Sequence, residues 1–367
     1  MIREKLNSSR QTDRQTDRQT DRQTDRQVYY DVMRNLLVLL VVIGHATYYD
    51  IITPFGGIQY GMLMEEAGIQ DTLFHSLTSE LTNFIYTFHM PVFIALSGSL
   101  FALGKKLEAS AFIIKKAKRL LIPFFVVWLC WNMPIKYLTG YYNGISMGRA
   151  FAQMIFPSCV YLWYLECLFC VFVLAYFICR QNEKVQIAIV TVCWLVGLLI
   201  YRKYDQYHFL GDPLYYILWF YVGYRIEDII KWCKTNKVWN CIFASGLVLF
   251  VVLLYSGGII WHNKIIGAFC RYIVSPLFIL LAINYFARAV KGGRMQRICS
   301  SYSFGIYLYA EPLNYWLLYE FSSRAGVAFF GTEIGAATIY LSRAVVTPII
   351  AVCITWILKK LKIKYLY

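Results

Sequence analysis

The chain has 367 residues, 59% of them hydrophobic and only 16% charged. Its mean hydropathy of +0.49 excludes a soluble globular protein and fits a membrane protein that crosses the bilayer several times. The net charge of +15 at pH 7 raises nucleic acid as a partner, but the cations fall in alternate loops, which is a membrane-topology pattern, and nucleic acid is not expected.

In chain order, Arg10 to Gln27 reads R-QTDR-QTDR-QTDR-QTDR-Q. It holds no apolar residue and has no helical amphipathicity, so 1–28 is expected to be a disordered cytoplasmic tail ahead of a membrane domain over 29–367. A four-nucleotide unit, CAGA, encodes Gln, Thr, Asp and Arg in turn without contradiction. Gain or loss of one unit shifts the frame, as in the contingency repeats of phase-variable bacterial genes. The tail is polar and the first apolar run is full length, so no cleavable signal peptide is expected.

A spanning helix needs about 20 mostly apolar residues. Ten stretches qualify: 30–49, 80–103, 120–138, 160–179, 185–201, 213–230, 238–256, 265–287, 301–319 and 336–358. The expected fold class is therefore all-α, a polytopic helical bundle. The 104–119 loop carries Lys105, Lys106, Lys115, Lys116, Lys118 and Arg119. The 288–297 loop carries Arg288, Lys291, Arg294 and Arg297, and the C-terminal segment carries Lys359, Lys360, Lys362 and Lys364. The 50–79 loop has no Lys or Arg. This alternation puts both termini in the cytoplasm. The 11 Cys residues lie mostly in apolar segments. The Cys167/Cys170 pair falls inside a helix and reads as packing, so neither a disulfide framework nor a metal site is expected.

Within the first span, Arg34 and His45 stand eleven positions apart. Eleven steps is close to three helical turns, so both share one face, roughly 16 Å apart along the axis. Ionisable groups inside a membrane helix persist mostly where they face a bundle interior or cavity. A cation near one surface and an imidazole deep inside suggest a charged ligand entering from that surface, with chemistry at depth. Glu80, Glu166, Arg271, Glu311 and Arg343 are further charges at or within spans, and some must pair to survive there.

The second span reads Phe88-His89-Met90-Pro91-Val92-Phe93, followed by Leu96-Ser97-Gly98. With it go the Arg-x10-His of the first span, Lys116-x-x-Arg119 before Pro123, Leu162-Trp163-Tyr164-Leu165, and Ser303-x-Gly305-Ile306-Tyr307-Leu308. Together, in this order, these segments resemble the acyltransferase-3 family, integral-membrane O-acyltransferases of bacterial envelope sugars, over roughly 29 to 358. Lys116 replaces the family's first Arg, which weakens bidentate phosphate contact there. Ala310-Glu311 stands where many relatives have His. No long extracytoplasmic domain follows the last span, so this is expected to be the bare membrane domain.

The resemblance implies acetyl-CoA as acyl donor, with no bound cofactor, and a lipid-linked or envelope glycan such as lipooligosaccharide as acceptor, among membrane lipids. His45 is the expected catalytic base, or a nucleophile through an acetyl-imidazole. Glu166 and Glu311 are expected to orient the imidazole or bind sugar hydroxyls. Arg34, Lys115, Lys116 and Arg119 are expected to hold the acyl-CoA phosphates. His89, Ser97, Trp163 and Tyr164 are expected at the acceptor, although His89 beside Pro91 also reads as a kink, and Ser97-Gly98 as a close helix approach. Two alternatives stay open: the same fold moving another acyl group such as succinyl, and a glycan transporter or flippase. Against the latter, no second copy of the Arg-x10-His or FHMP segment is found.

Overall fold

The computed structural model describes residues 28–53, 56–104, 107–155, 161–203, 208–236, 238, 239, 241, 245, 246, 270–289 and 293–367. The repeat tail and most of the 238–256 span lie outside these residues. Among those described, the chain is helical apart from one short hairpin. The elements are α1 (Val28–His45), β1 (Asp50–Thr53), β2 (Gly56–Gln59), α2 (Gly61–Glu66), α3 (Leu73–Tyr86), α4 (His89–Ala102), α5 (Ala109–Val127), α6 (Met133–Leu138), α7 (Met147–Ile155), α8 (Trp163–Ile178), α9 (Glu183–Lys203), α10 (His208–Tyr224), α11 (Ile226–Thr235), α12 (Ser275–Ala289), α13 (Arg294–Arg324), α14 (Val327–Phe330), α15 (Glu333–Leu341) and α16 (Thr347–Lys360). In the antiparallel hairpin Asp50 pairs with Gln59 and Thr53 with Gly56.

Five of these stretches are long and apolar enough to cross a membrane: Val28–His45, Leu73–Ala102, Ala109–Leu138, Glu183–Ile200 and Glu333–Lys360. Trp163–Ile178 and Tyr272–Arg288 are shorter apolar helices. The expected spans at 213–230 and 301–319 fall on α10 with the start of α11, and on α13. The outward faces are apolar: on α9, Val192 is 60% exposed and Leu199 68%. In water such a surface would aggregate; in a bilayer it is the solvated face.

Three boundaries differ from the sequence reading. The second span begins at Leu73 rather than residue 80, and it breaks at Thr87–Phe88, where Phe88 leaves the helical region at φ −137°. Pro91 brings no N–H to Thr87, and the Thr87 hydroxyl pairs with Ser275 Oγ at 2.8 Å. The third span begins at Ala109 rather than 120, so Lys115 to Arg119 are helical and not loop. Lys, Ala, Arg and Leu are good helix formers, and long cationic stems can lie along an apolar helix. α5 then passes through a π turn, Trp128–Asn132, into α6.

Packing against the bundle is close where side chains are smallest. A Cβ on Gly98 of α4 would collide with the Phe220 carbonyl of α10, and one on Gly223 of α10 with the Ala95 carbonyl of α4. The Ser99 hydroxyl donates to Gly223 O at 3.0 Å across the same crossing. Small residues permit this approach, as the Ser97-Gly98 segment suggested. Gly223→Ala should therefore lower the thermal midpoint of the detergent-solubilised protein, overpacking costing about 1–3 kcal/mol. Gly148→Ala, where a Cβ meets nothing within 4 Å, should not lower it. Equal melts for the two variants would refute the tight crossing.

Candidate active site

α1 and α13 lie parallel and in register. Arg34 Nη1 donates to Ser300 Oγ at 2.8 Å. Eleven residues further along both helices, His45 Nδ1 lies 4.0 Å from Glu311 Oε1. Between these contacts, Val38 and Val41 of α1 and Phe304 and Tyr307 of α13 line one cavity of about 2760 Å³. Steps of three and four keep each set on one stripe of its helix. α4, α5 and α8 supply the remaining long walls.

One end of the cavity is cationic. Arg34, Lys115, Lys116, Lys118, Arg119 and Arg180 line it. Arg34 is held in place: Asp31 Oδ1 lies 3.7 Å from its Nη1 and accepts the Ser300 hydroxyl at 2.6 Å, which turns a Ser300 lone pair toward the guanidinium. The Lys116 Nζ stands 3.3 Å over the Phe172 ring, a cation–π contact that fixes the ammonium while leaving its hydrogen-bond donors to a ligand.

At the other end stand His45 and Glu311. His45 is the last residue of α1, so the imidazole sits at a helix terminus. What buries it lies beyond the helix end. Tyr48 and Tyr86 pack beside the ring, at 6.3 and 6.5 Å between centroids. The Arg343 Nη2 donates to His45 O at 3.0 Å, and the Tyr340 hydroxyl reaches Ile43 O at 3.4 Å. A cation on the last carbonyls of a helix is the favoured sign for its dipole. The Glu311 carboxylate accepts from the Tyr315 hydroxyl, and the charges of Arg343 and Lys136 act on it. Arg343 is 1% exposed, Lys136 0% and Glu311 7%. A lone carboxylate this deep would cost several kcal/mol, so the cations account for its tolerance.

The other expected residues divide. His89 lines the cavity and gives its Nδ1–H to Ile85 O at 3.1 Å, which leaves Nε2 as an acceptor when the ring is neutral. Ser97 lines it too, with its hydroxyl on Phe93 O at 3.2 Å and 3.3 Å from the Tyr164 hydroxyl. Trp163 and Tyr164 form part of an aromatic wall, with Trp163 5.6 Å from the Tyr216 ring and Tyr164 5.7 Å from that of Tyr307. Glu166 is not brought to the cavity. It lies on the first turn of α8, and its charged neighbour is Asp212. Sequence reasoning missed Lys136 and Tyr315. Lys136 carried a usable signal, a lone cation at the end of an apolar span; Tyr315, one turn after Glu311, carried none. Among the described residues, Arg343 Nε and Nη1, both Asn132 side-chain atoms, Asn314 Oδ1 and Glu311 Oε2 are buried without a hydrogen-bond partner. Such groups are normally satisfied; of these residues Glu311 lines the cavity, so its free oxygen is placed for water or a polar ligand.

A polytopic α-helical membrane protein with a cavity running from a cationic end to a buried imidazole–carboxylate pair is the class that the fold and site define. Residues 27–359 match the acyltransferase-3 family, described as an acyltransferase domain, and the chain belongs to that family. It is a membrane acyltransferase. No curated protein and no solved structure matches the chain.

Arg343→Met should destabilise the protein by about 3–5 kcal/mol, since it strips a cation from a buried carboxylate. Adding Glu311→Gln should restore part of that loss. A double variant whose melting point falls by the sum of the single shifts would show that the two side chains are not coupled.

Proposed function

We propose that this protein moves an acetyl group from acetyl-CoA to a hydroxyl of a bacterial envelope glycan, such as lipooligosaccharide or its lipid-linked precursor. It would work from the inner membrane with both termini in the cytoplasm. The observation that carries the reading is the single cavity shared by six cationic side chains and the His45–Glu311 pair. Guanidinium and ammonium groups suit the donor's phosphates. The roughly 16 Å between Arg34 and His45 along α1 then lies along the donor's arm.

In the step envisaged, the acceptor oxygen attacks the thioester carbonyl as His45 takes its proton. The C–S bond breaks, the thiolate leaves, and the proton passes to it to give the free thiol of CoA. Glu311, on the Nδ1 side of the ring, is a positioning residue that stabilises the imidazolium and leaves Nε2 for the acceptor. The 4.0 Å separation is longer than a hydrogen bond, and such contacts often tighten only in the reacting complex. Trp163, Tyr164 and Tyr216 offer aromatic faces to sugar rings. Glu166 takes no part in the step.

Mass spectrometry of envelope glycans from cells carrying wild type or His45→Ala tests this. Wild type should add one acetyl group, and the variant should lose it while accumulating normally, since removing a general base costs about 10² to 10⁴ in rate. Arg34→Ala and Lys116→Ala/Arg119→Ala should raise the acetyl-CoA KM more than the acceptor KM. An acetylated glycan in His45→Ala cells would remove His45 from the mechanism; a different added mass would change the acyl group.

Expression is proposed to be phase-variable through the DNA under the QTDR repeat. Sequencing isolates should reveal a CAGA tract of differing unit number, in frame only in those that acetylate. A tract of mixed synonymous codons would end this reading and leave the enzymology untouched.

A further inference from the structure

We propose that the segment after α16, residues 361–367, builds a nucleobase-stacking site, in which Tyr365 and Tyr367 hold the adenine ring of the acyl donor beside the cationic end of the cavity. The proposal rests on the acyl-CoA reading above and adds to it a site that the family motifs do not contain.

The segment is brought to the correct end by α13. Lys359 Nζ donates to Ser301 O at 2.7 Å and lies 3.1 Å from Ser301 Oγ, one residue from the Ser300 hydroxyl that receives Arg34. α16 then ends in a Schellman-type turn: Ile363 N donates to Leu358 O and Lys362 N to Lys359 O, both at 3.1 Å. Lys362 takes the left-handed position at φ 54°, which glycine usually fills. Tyr365 is left-handed as well, at φ 73°. A bulky residue there is an outlier, and such strain persists only where surrounding contacts enforce it.

Those contacts are present. The Tyr309 hydroxyl donates to Leu366 O at 2.8 Å, and Leu366 packs against the main apolar core. With Leu366 turned inward, Tyr365 and Tyr367 stay 41% and 36% exposed, and both line the cavity. An apolar anchor held between two exposed rings presents both aromatic faces to the cavity. The rings share the cavity with Arg34, Lys115, Lys116 and Arg119. Aromatic faces beside a cluster of cations are complementary to a nucleotide, the base stacking on the rings and the phosphates meeting the charges. The acceptor sugar has a separate aromatic wall at Trp163, Tyr164 and Tyr216.

The test uses the purified full chain in detergent micelles. Calorimetric titration with acetyl-CoA should give an affinity about tenfold or more weaker for Tyr365→Ala/Tyr367→Ala than for wild type. Tyr365→Trp/Tyr367→Trp should keep the wild-type affinity, which a merely structural role would not allow. Wild-type affinity in the Ala variant would overturn the stacking site and leave the acyl-CoA reading standing. No binding of acetyl-CoA by wild type would bring down both. Should the Ala variant fail to fold, labelling wild type with an 8-azidoadenine analogue of CoA decides: cross-links within 361–367 support the site, and cross-links confined to other segments overturn it.

Discussion

A carboxylate in the interior of a membrane protein must be neutralised by its surroundings, and around Glu311 that requirement organises four parts of the chain. α13 brings the carboxylate, α1 the imidazole, α6 the Lys136 ammonium, and the turn between α15 and α16 the Arg343 guanidinium. Arg343 serves twice, since it also closes the C-terminus of α1 at His45 O. At the cationic end a second polar clasp, Asp31–Ser300–Arg34, joins the same two helices. The two clasps stand eleven residues apart on α1 and on α13 alike. Sliding one helix by a residue would move it about 1.5 Å and turn it about 100°, breaking both clasps at once. The register of α1 on α13, and with it the separation of the cations from the imidazole, is fixed by polar groups more than by apolar packing.

Most of these groups sit where the helices are irregular. Lys136 follows the π turn Trp128–Asn132, and Arg343 lies within the π turn Ser342–Val346. Pro312 has no N–H for Leu308 O, and the Tyr161 hydroxyl donates to that carbonyl at 2.9 Å instead. Trp131 Nε1 satisfies the next one, Tyr309 O, at 3.1 Å. The break before α4 is covered by His89 on Ile85 O. In hydrocarbon an unpaired backbone group costs several kcal/mol, so each irregularity is tolerated only because a neighbouring helix completes it. The irregularities also aim side chains that a straight helix would carry elsewhere, as π turns at functional sites often do.

This explains what could be read in the sequence and what could not. Arg34 and His45 lie on one regular helix, so their spacing alone gave a shared face and an axial distance. Apolar length gave the all-α membrane class, though not the hairpin at Asp50–Gln59, whose strands are four residues each. The basic segment 115–119 looked like a loop because its charge outweighed its helix-forming residues. Glu166 and Glu311 had equal claims in sequence, both being carboxylates beside a family motif. Only the fold separates them, sending Glu311 to His45 and Glu166 toward Asp212. Lys136 and Arg343 converge on Glu311 from distant segments, and no local period encodes that meeting.

Between the two polar ends the cavity walls are apolar and aromatic, with Val38, Val41, Leu96, Leu168 and Phe304 among them. For an acyltransferase this arrangement has a chemical use. Water competes with the acceptor hydroxyl for a thioester, and hydrolysis wastes the donor. On the proposed reading, apolar walls along the donor's arm would hold few waters, the charges at one end would retain the phosphates, and the buried imidazole at the other would act as base. Beside that base Glu311 Oε2 is buried without a hydrogen-bond partner among the described residues, as is Asn314 Oδ1 on a small neighbouring cavity. On the same reading, an acceptor hydroxyl that reaches Glu311 Oε2 would pair a group whose desolvation otherwise goes uncompensated.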